Sequence, residues 1–180
     1  MARLGLPRLY QGGGVVPGFF GIDPGIGGGV ALVRDGGAYG WGARTPLIKG
    51  KKSDYDIPGM RDLIMRGATD FSSLLVGIEK VHTLPRDGRV GAFNFGRGYG
   101  LWLGLLTGLG IPYMEITPQR WQARMLAGLP RGPHTKTSAV RAAQSRFPDM
   151  LGMDVKANWG VADAALIAAY TRQHHLGGRT

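Results

Sequence analysis

Apolar residues in the first half of this chain gather into short runs cut by tight turns. Phe19, Phe20 and Ile22 form one such run, which stops at Asp23. Pro24, Gly25, Gly27, Gly28 and Gly29 then force a turn before Val30, Ala31, Leu32 and Val33 resume the pattern. Strands are predicted near 18–23 and 29–34, with a third near 38–44 after Asp35-Gly36-Gly37. A polar, basic stretch from Lys49 to Asp56 leads into a predicted helix of about 57–67. Leu74, Leu75, Val76 and Ile78 make a nearly continuous apolar run ending at Glu79, the pattern of a parallel strand buried on both faces. A helix of about 95–109 and a strand at 112–116 follow. Thr117-Pro118 then opens a helix reaching about Ala127, with threonine as N-cap and proline in the first turn. Helices near 137–147 and 159–173 finish the chain. Three strands followed by strand–helix alternation predict an α/β domain with a mixed sheet.

Composition narrows the partners. The 180 residues carry a formal charge of +10, and arginine far outnumbers lysine. The planar guanidinium suits phosphate oxygens, so nucleic acid is the expected partner ahead of a membrane surface. No apolar run reaches membrane-spanning length and no signal peptide is visible, which with the lack of cysteine leads to the expectation of a cytoplasmic protein. Without cysteine there is no disulfide or thiolate zinc site, and His82, His134, His174 and His175 lack zinc-ligand spacing. No small-molecule cofactor is expected. Residues 1–17, with Gly12-Gly13-Gly14 and Pro17, read as a flexible arm, and 18–175 as the single domain.

The acids carry the chemistry. Asp23 ends the first strand, Glu79 ends the fourth, and Asp163 sits in Ala162-Asp-Ala-Ala-Leu-Ile-Ala-Ala-Tyr170, a helix apolar almost all round. Taken singly, each acid has a bland reading as a cap, turn or ion pair. Three isolated buried acids would cost several kcal/mol, so a shared cation is the economical partner. Oxygen-only ligands select Mg²⁺ or Mn²⁺, and two such ions suit phosphodiester hydrolysis.

Gly21-Ile-Asp-Pro-Gly25 with Gly29 beyond, Ile78-Glu-Lys-Val81 and Ala162-Asp-Ala164 resemble the motifs of RuvC-type Holliday-junction resolvases, and most closely the bacteriophage-encoded forms. The resemblance runs through Phe93-Asn-Phe-Gly-Arg97, Ile111-Pro and Thr117-Pro, and covers about residues 19–172. It implies a ribonuclease H-like fold, a five-stranded mixed sheet flanked by helices. It also implies a homodimer that nicks a four-way DNA junction symmetrically, with metal held by Asp23, Glu79 and Asp163. The family places a fourth metal-site residue, an acid or histidine, just before the last aspartate. This chain reads Lys156-Ala-Asn-Trp-Gly160 there, so Asn158 is a weak neutral ligand, a natural loss or an engineered substitution of the fourth ligand, or the N-cap of the last helix, and cap and ligand are compatible.

By the same resemblance, His82 stands where an aromatic wedge is often found, and Lys136 matches a lysine near the scissile phosphate. Arg86 and Arg89 in the basic loop from His82 to Phe93, together with Arg97 and Arg131, complete the expected DNA contacts. Phe93, Phe95 and Tyr99 are expected to pack, and Trp121 to lie in the core. Gly96, Gly100, Gly104 and Gly108 recur every four residues, which suits close packing either on the sheet or against a second subunit. Three rival readings remain: another ribonuclease H-like nuclease acting on branched DNA or RNA–DNA hybrids, a catalytically impaired junction binder, and an actin-like ATPase. Small size and the +10 charge weigh against the last.

Overall fold

The computed structural model describes residues 18–50, 53–68, 74–80, 88–130, 132–150 and 158–177. Expectations for the 1–17 arm, for His82, Arg86 and Arg131, and for the Arg89 side chain lie outside the described residues. Strands β1 (Gly18–Asp23), β2 (Gly29–Arg34) and β3 (Tyr39–Arg44) form an antiparallel meander. A two-residue pair, β4 (Leu47–Ile48) with β5 (Asp54–Tyr55), precedes helix α1 (Ile57–Gly67). Then come β6 (Leu74–Glu79), α2 (Arg89–Gly108), β7 (Tyr113–Ile116), α3 (Pro118–Met125), α4 (Thr135–Arg146) and α5 (Trp159–Gly177). The main sheet has the order β3-β2-β1-β6-β7, with β6 parallel to both β1 and β7. It is the mixed sheet that the alternation predicts, with the five strands that the resemblance implies.

Each face of the sheet carries its own core. Helices α1 and α2 bury Met60, Ile64, Trp102 and Leu106 against Phe20, Ile22, Val76 and Ile78. On the other face, α5 packs with α3 and α4 over Ala31 and Val33. Alanines 162, 164, 165, 168 and 169 let α5 lie very close to the strands. At Gly21 a Cβ would come within 1.9 Å of the Ala164 carbonyl oxygen, so only glycine fits there. That contact explains why α5 has no polar face over this stretch, and it brings Asp163 down onto the end of β1.

Several predicted boundaries shift. Helix α2 begins at Arg89, so Arg89–Phe93 is helical rather than loop. Its start is set by the Gly88 carbonyl accepting from Ala92 N–H at 2.9 Å. Pair β4–β5 escapes the period-two pattern because two residues are too few to show it. Asp56 caps α1 by accepting from Gly59 N–H at 3.1 Å. Thr117 holds the cap position of α3 in extended backbone but makes no side-chain cap bond; Pro118 supplies the preset first turn. The glycine stripe of α2 faces away from the sheet. A Cβ on Gly96, Gly100, Gly104 or Gly108 would meet nothing within 4 Å, whereas Trp102 and Leu106 fill the inner side. Sheet packing therefore does not explain the stripe. Phe93 likewise stands exposed on the outer side of the helix, contrary to the packing expected of it, whereas Phe95, partly exposed, turns its ring towards the Gly25 loop.

Candidate metal and nucleic-acid site

Asp23 and Glu79 end neighbouring parallel strands, whose register pairs Ile22 with Ile78. Both carboxylates thus leave the same edge of the sheet. Asp163 reaches that edge from α5, and the local geometry is tight. Gly28 N–H closes the turn on the Gly25 carbonyl at 2.9 Å, and Gly28 bridges to Gly160 at the head of α5. A Cβ on Gly160 would come within 2.4 Å of Gly28 Cα, so the first turn of α5 can sit against this loop only without a side chain there.

Crowding shows in the electrostatics. Burial, then the charge of Glu79, push the Asp23 carboxyl up to about 7, against opposing help from Gly25 N–H and Lys136. Asp163 is raised well above the usual carboxylate range by burial, then by Asp23 and Glu79, with Lys136 opposing. Burial also raises Glu79, and the Trp121 indole works against it. All three acids therefore sit where their charges are costly, Asp23 feeling Glu79 and Asp163 feeling both. A hard cation would relieve that cost. Among the described residues, no group of three or more His, Asp or Glu side chains is already arranged to hold a metal ion. Burial, mutual repulsion and an all-oxygen donor set nevertheless fit a hard divalent ion.

A cavity of about 600 Å³ opens over Asp23 and Asp163, walled by Arg44, Phe95, Lys136 and Trp159 among others. Lys136, in the first turn of α4, sets its ammonium 4.9 Å from the centroid of the Trp159 ring. That cation–π contact keeps a positive charge at the cavity mouth. Asn158 directly precedes α5, and its carbonyl accepts from Val161 N–H at 3.0 Å and Ala162 N–H at 3.1 Å. It serves as the helix-start residue, while Trp159 and Gly160 form the cavity wall.

Two side chains do more than their sequence suggests. Trp121 is buried as expected, yet its Nε1–H also donates to Glu79 Oε2 at 2.5 Å. An indole in an apolar run reads as core, and only the apposition of α3 with the end of β6 reveals the bond. Arg97, expected on DNA, forms a two-pronged pair with Asp54, with Nη2 3.2 Å from Oδ2. With Tyr55 O–H donating to the Asn94 carbonyl at 3.1 Å, this ties pair β4–β5 to α2. Tyr99 O–H donates to Glu115 on the far side of the helix, and Lys80 lies 3.9 Å from that same carboxylate.

A mixed sheet in this order, with acids at adjacent strand ends and on the crossing helix, defines a ribonuclease H-like fold. Comparison with solved structures identifies it more closely as the fold of RuvC. "T. thermophilus RuvC in complex with Holliday junction substrate" superposes with a TM-score of 0.60 at 17% identity, covering 89% of this chain and 96% of that one. "Thermus thermophilus RuvC structure" gives 0.56 at 17% identity, covering 91% and 97%. By sequence, the chain is 36% identical over 94 residues to "Holliday junction resolvase MOC1, chloroplastic" of Chlamydomonas reinhardtii. The match takes in 52% of this chain but spans only 10% of that protein's length. No family model matches. The likeness to bacteriophage-encoded forms rests on the sequence motifs alone. Among the described residues, no helix is long and apolar enough to cross a membrane.

Proposed function

We propose that this chain is a divalent-metal-dependent endonuclease that resolves four-way DNA junctions by paired, symmetric nicks. The observation that carries the reading is the meeting of Asp23, Glu79 and Asp163 at one sheet edge, within a fold shared with RuvC bound to a Holliday junction. Asp23, Glu79 and Asp163 would hold Mg²⁺ or Mn²⁺, with Asn158 adjoining as a neutral oxygen donor. When bound, such ions activate water and stabilise the leaving 3′ oxygen. Lys136, steadied by Trp159, offers positive charge to a phosphate entering the cavity. Trp121 holds one oxygen of Glu79 by its indole N–H, and the other is not engaged by that bond.

Symmetric cutting requires two sites related by a two-fold axis. The outward glycine stripe of α2 offers a second copy a surface for close helix approach, beside exposed Phe93 and Val90. The compartment this reading implies is the cytoplasm, or the host cytoplasm for a phage-encoded chain. A second reading, junction binding without cutting, has one observation in its favour. Gly160, one turn before Asp163, is pressed against Gly28 and leaves no room there for a further acid.

A labelled four-way junction, a matched duplex and an RNA–DNA hybrid, each incubated with Mg²⁺ and with Mn²⁺, separate the readings. Symmetric nicks confined to the junction are expected, and Glu79→Gln and Asp163→Asn should abolish them while binding survives. Junction binding with no scission in either metal supports the second reading. Preferential cutting of the hybrid overturns both.

A further inference from the structure

The positive charge of this protein is unevenly placed. Between Glu115 and Asp149 the chain holds no acidic residue, yet it carries Arg120, Arg124, Arg131, Lys136, Arg141 and Arg146. Four of these arginines, at 120, 124, 141 and 146, stand exposed on α3 and α4. They border two neighbouring surface hollows. The first, of about 760 Å³, lies between α3 and α5 and is lined by Arg120, Arg124, Gln173 and His174. The second, of about 530 Å³, lies between α3 and α4 and is lined by Arg141, Ser145 and Arg146. Among the described residues, neither hollow shares a lining residue with the acid cavity.

Elsewhere several basic side chains meet an acid or a ring, as Arg66 does over Trp41. Arg61 pairs with Asp62, Arg97 with Asp54 and Lys80 with Glu115. Among the described residues of α3, α4 and α5, Asp163 is the sole acid, and it belongs to the site. Arg124 Nε donates to Gln173 Oε1 at 3.3 Å, which holds one guanidinium upright between the two helices. A surface of unmatched arginines with polar, concave relief suits an extended polyanion better than an acidic side chain, which would satisfy only one of them.

The surface is also continuous with the site. Helix α3 begins beside Glu79 through Trp121, and α4 begins at the acid cavity through Lys136. From Lys136, α4 runs about 15 Å to Arg146 at 1.5 Å per residue. Duplex DNA covers that distance in about four to five base pairs at 3.4 Å each. We infer that the α3–α4 face with the end of α5 is a track for the phosphate backbone of a duplex arm, engaging it about five base pairs and more from the cut. This deepens the junction reading and rests on it.

The test pairs protein and DNA changes in the full chain. Arg120→Gln with Arg124→Gln, and separately Arg141→Gln with Arg146→Gln, are titrated against a junction in EDTA. The junction is used native, or with neutral methylphosphonates five to nine pairs from the expected cut. On native DNA each variant should lose about tenfold in affinity at 150 mM salt, and its log–log salt slope should flatten by about two. On the neutralised arm, wild type and variants should bind alike, since the arginines have lost their partners. Arg61→Gln, distant on α1, should match wild type on both DNAs. Equal losses by the variants on native and neutralised arms overturn the track, as does no loss at all. A wild type that binds junction no better than duplex overturns the junction reading instead. Neutralised duplex of the same length then still decides whether the arginines meet phosphate there.

Discussion

Asp23→Asn should stabilise the metal-free protein at pH 8 and leave it unchanged near pH 3.5. The Asp23 carboxyl titrates at about 7 in the folded chain against 3.8 for the ordinary group. A folded-state value raised in this way means that the folded chain holds its proton more tightly than the unfolded one. Stability is therefore intact below about pH 4 and is lost as pH rises towards 7. Above that window the full shift applies, at 1.36 kcal/mol per pKa unit, or up to about 4 kcal/mol. Asp23 is half-buried rather than sealed, and water at the cavity mouth brings the expected effect to about 2–4 kcal/mol. Asparagine keeps the shape and can still accept from Gly25 N–H, but carries no charge for Glu79 or Asp163 to repel. Urea denaturation of both proteins in EDTA at pH 3.5, 6 and 8 reads the effect directly, with unchanged m-values as the check that only stability moved. Adding Mg²⁺ at pH 8 should raise the wild-type midpoint and barely move the variant. A gain from Asp23→Asn that is absent at pH 8, or equal at all three pH values, would refute the argument that a crowded, ionised Asp23 burdens the fold.

Trp121→Phe removes the indole donor to Glu79 while keeping an aromatic ring in the core. A lost hydrogen bond to a charged group and the missing ring volume should together cost about 2–4 kcal/mol. Mn²⁺ binding by the free protein, measured by calorimetry, should weaken several-fold, and unchanged binding would remove Trp121 from the site. Asn158→Asp adds charge beside the acids without impairing the helix start, since both residues cap well. The metal titration of junction cutting should shift to lower concentration, and superimposable curves would take Asn158 out of the ligand set. Gly104→Arg points a charged side chain into open space on α2, so the monomer should keep its melting temperature. Light scattering should then report a mass near 19 kDa where the wild type gives twice that, and equal masses would place the two-fold contact elsewhere.

Much of the architecture was legible in one dimension because it follows from local periodicity. Apolar runs ending at Asp23 and Glu79, with glycine-rich turns between them, specify strands whose ends carry acids. A run of small apolar residues around Asp163 specifies a helix buried against those strands. These are properties of neighbours in sequence, and the structure keeps them with shifts of a few residues at helix ends. Pairings across the chain were not legible. Whether Arg97 has an acid beside it, whether Trp121 merely fills space or also binds Glu79, and which way the α2 glycines point depend on the angles at which helices dock. Those angles come from side-chain packing between elements distant in sequence, such as the close seating of α5 on Gly21. The residue types needed for the chemistry are thus written in the sequence, whereas their partners, and the arginine face leading away from them, exist only once the helices are in place.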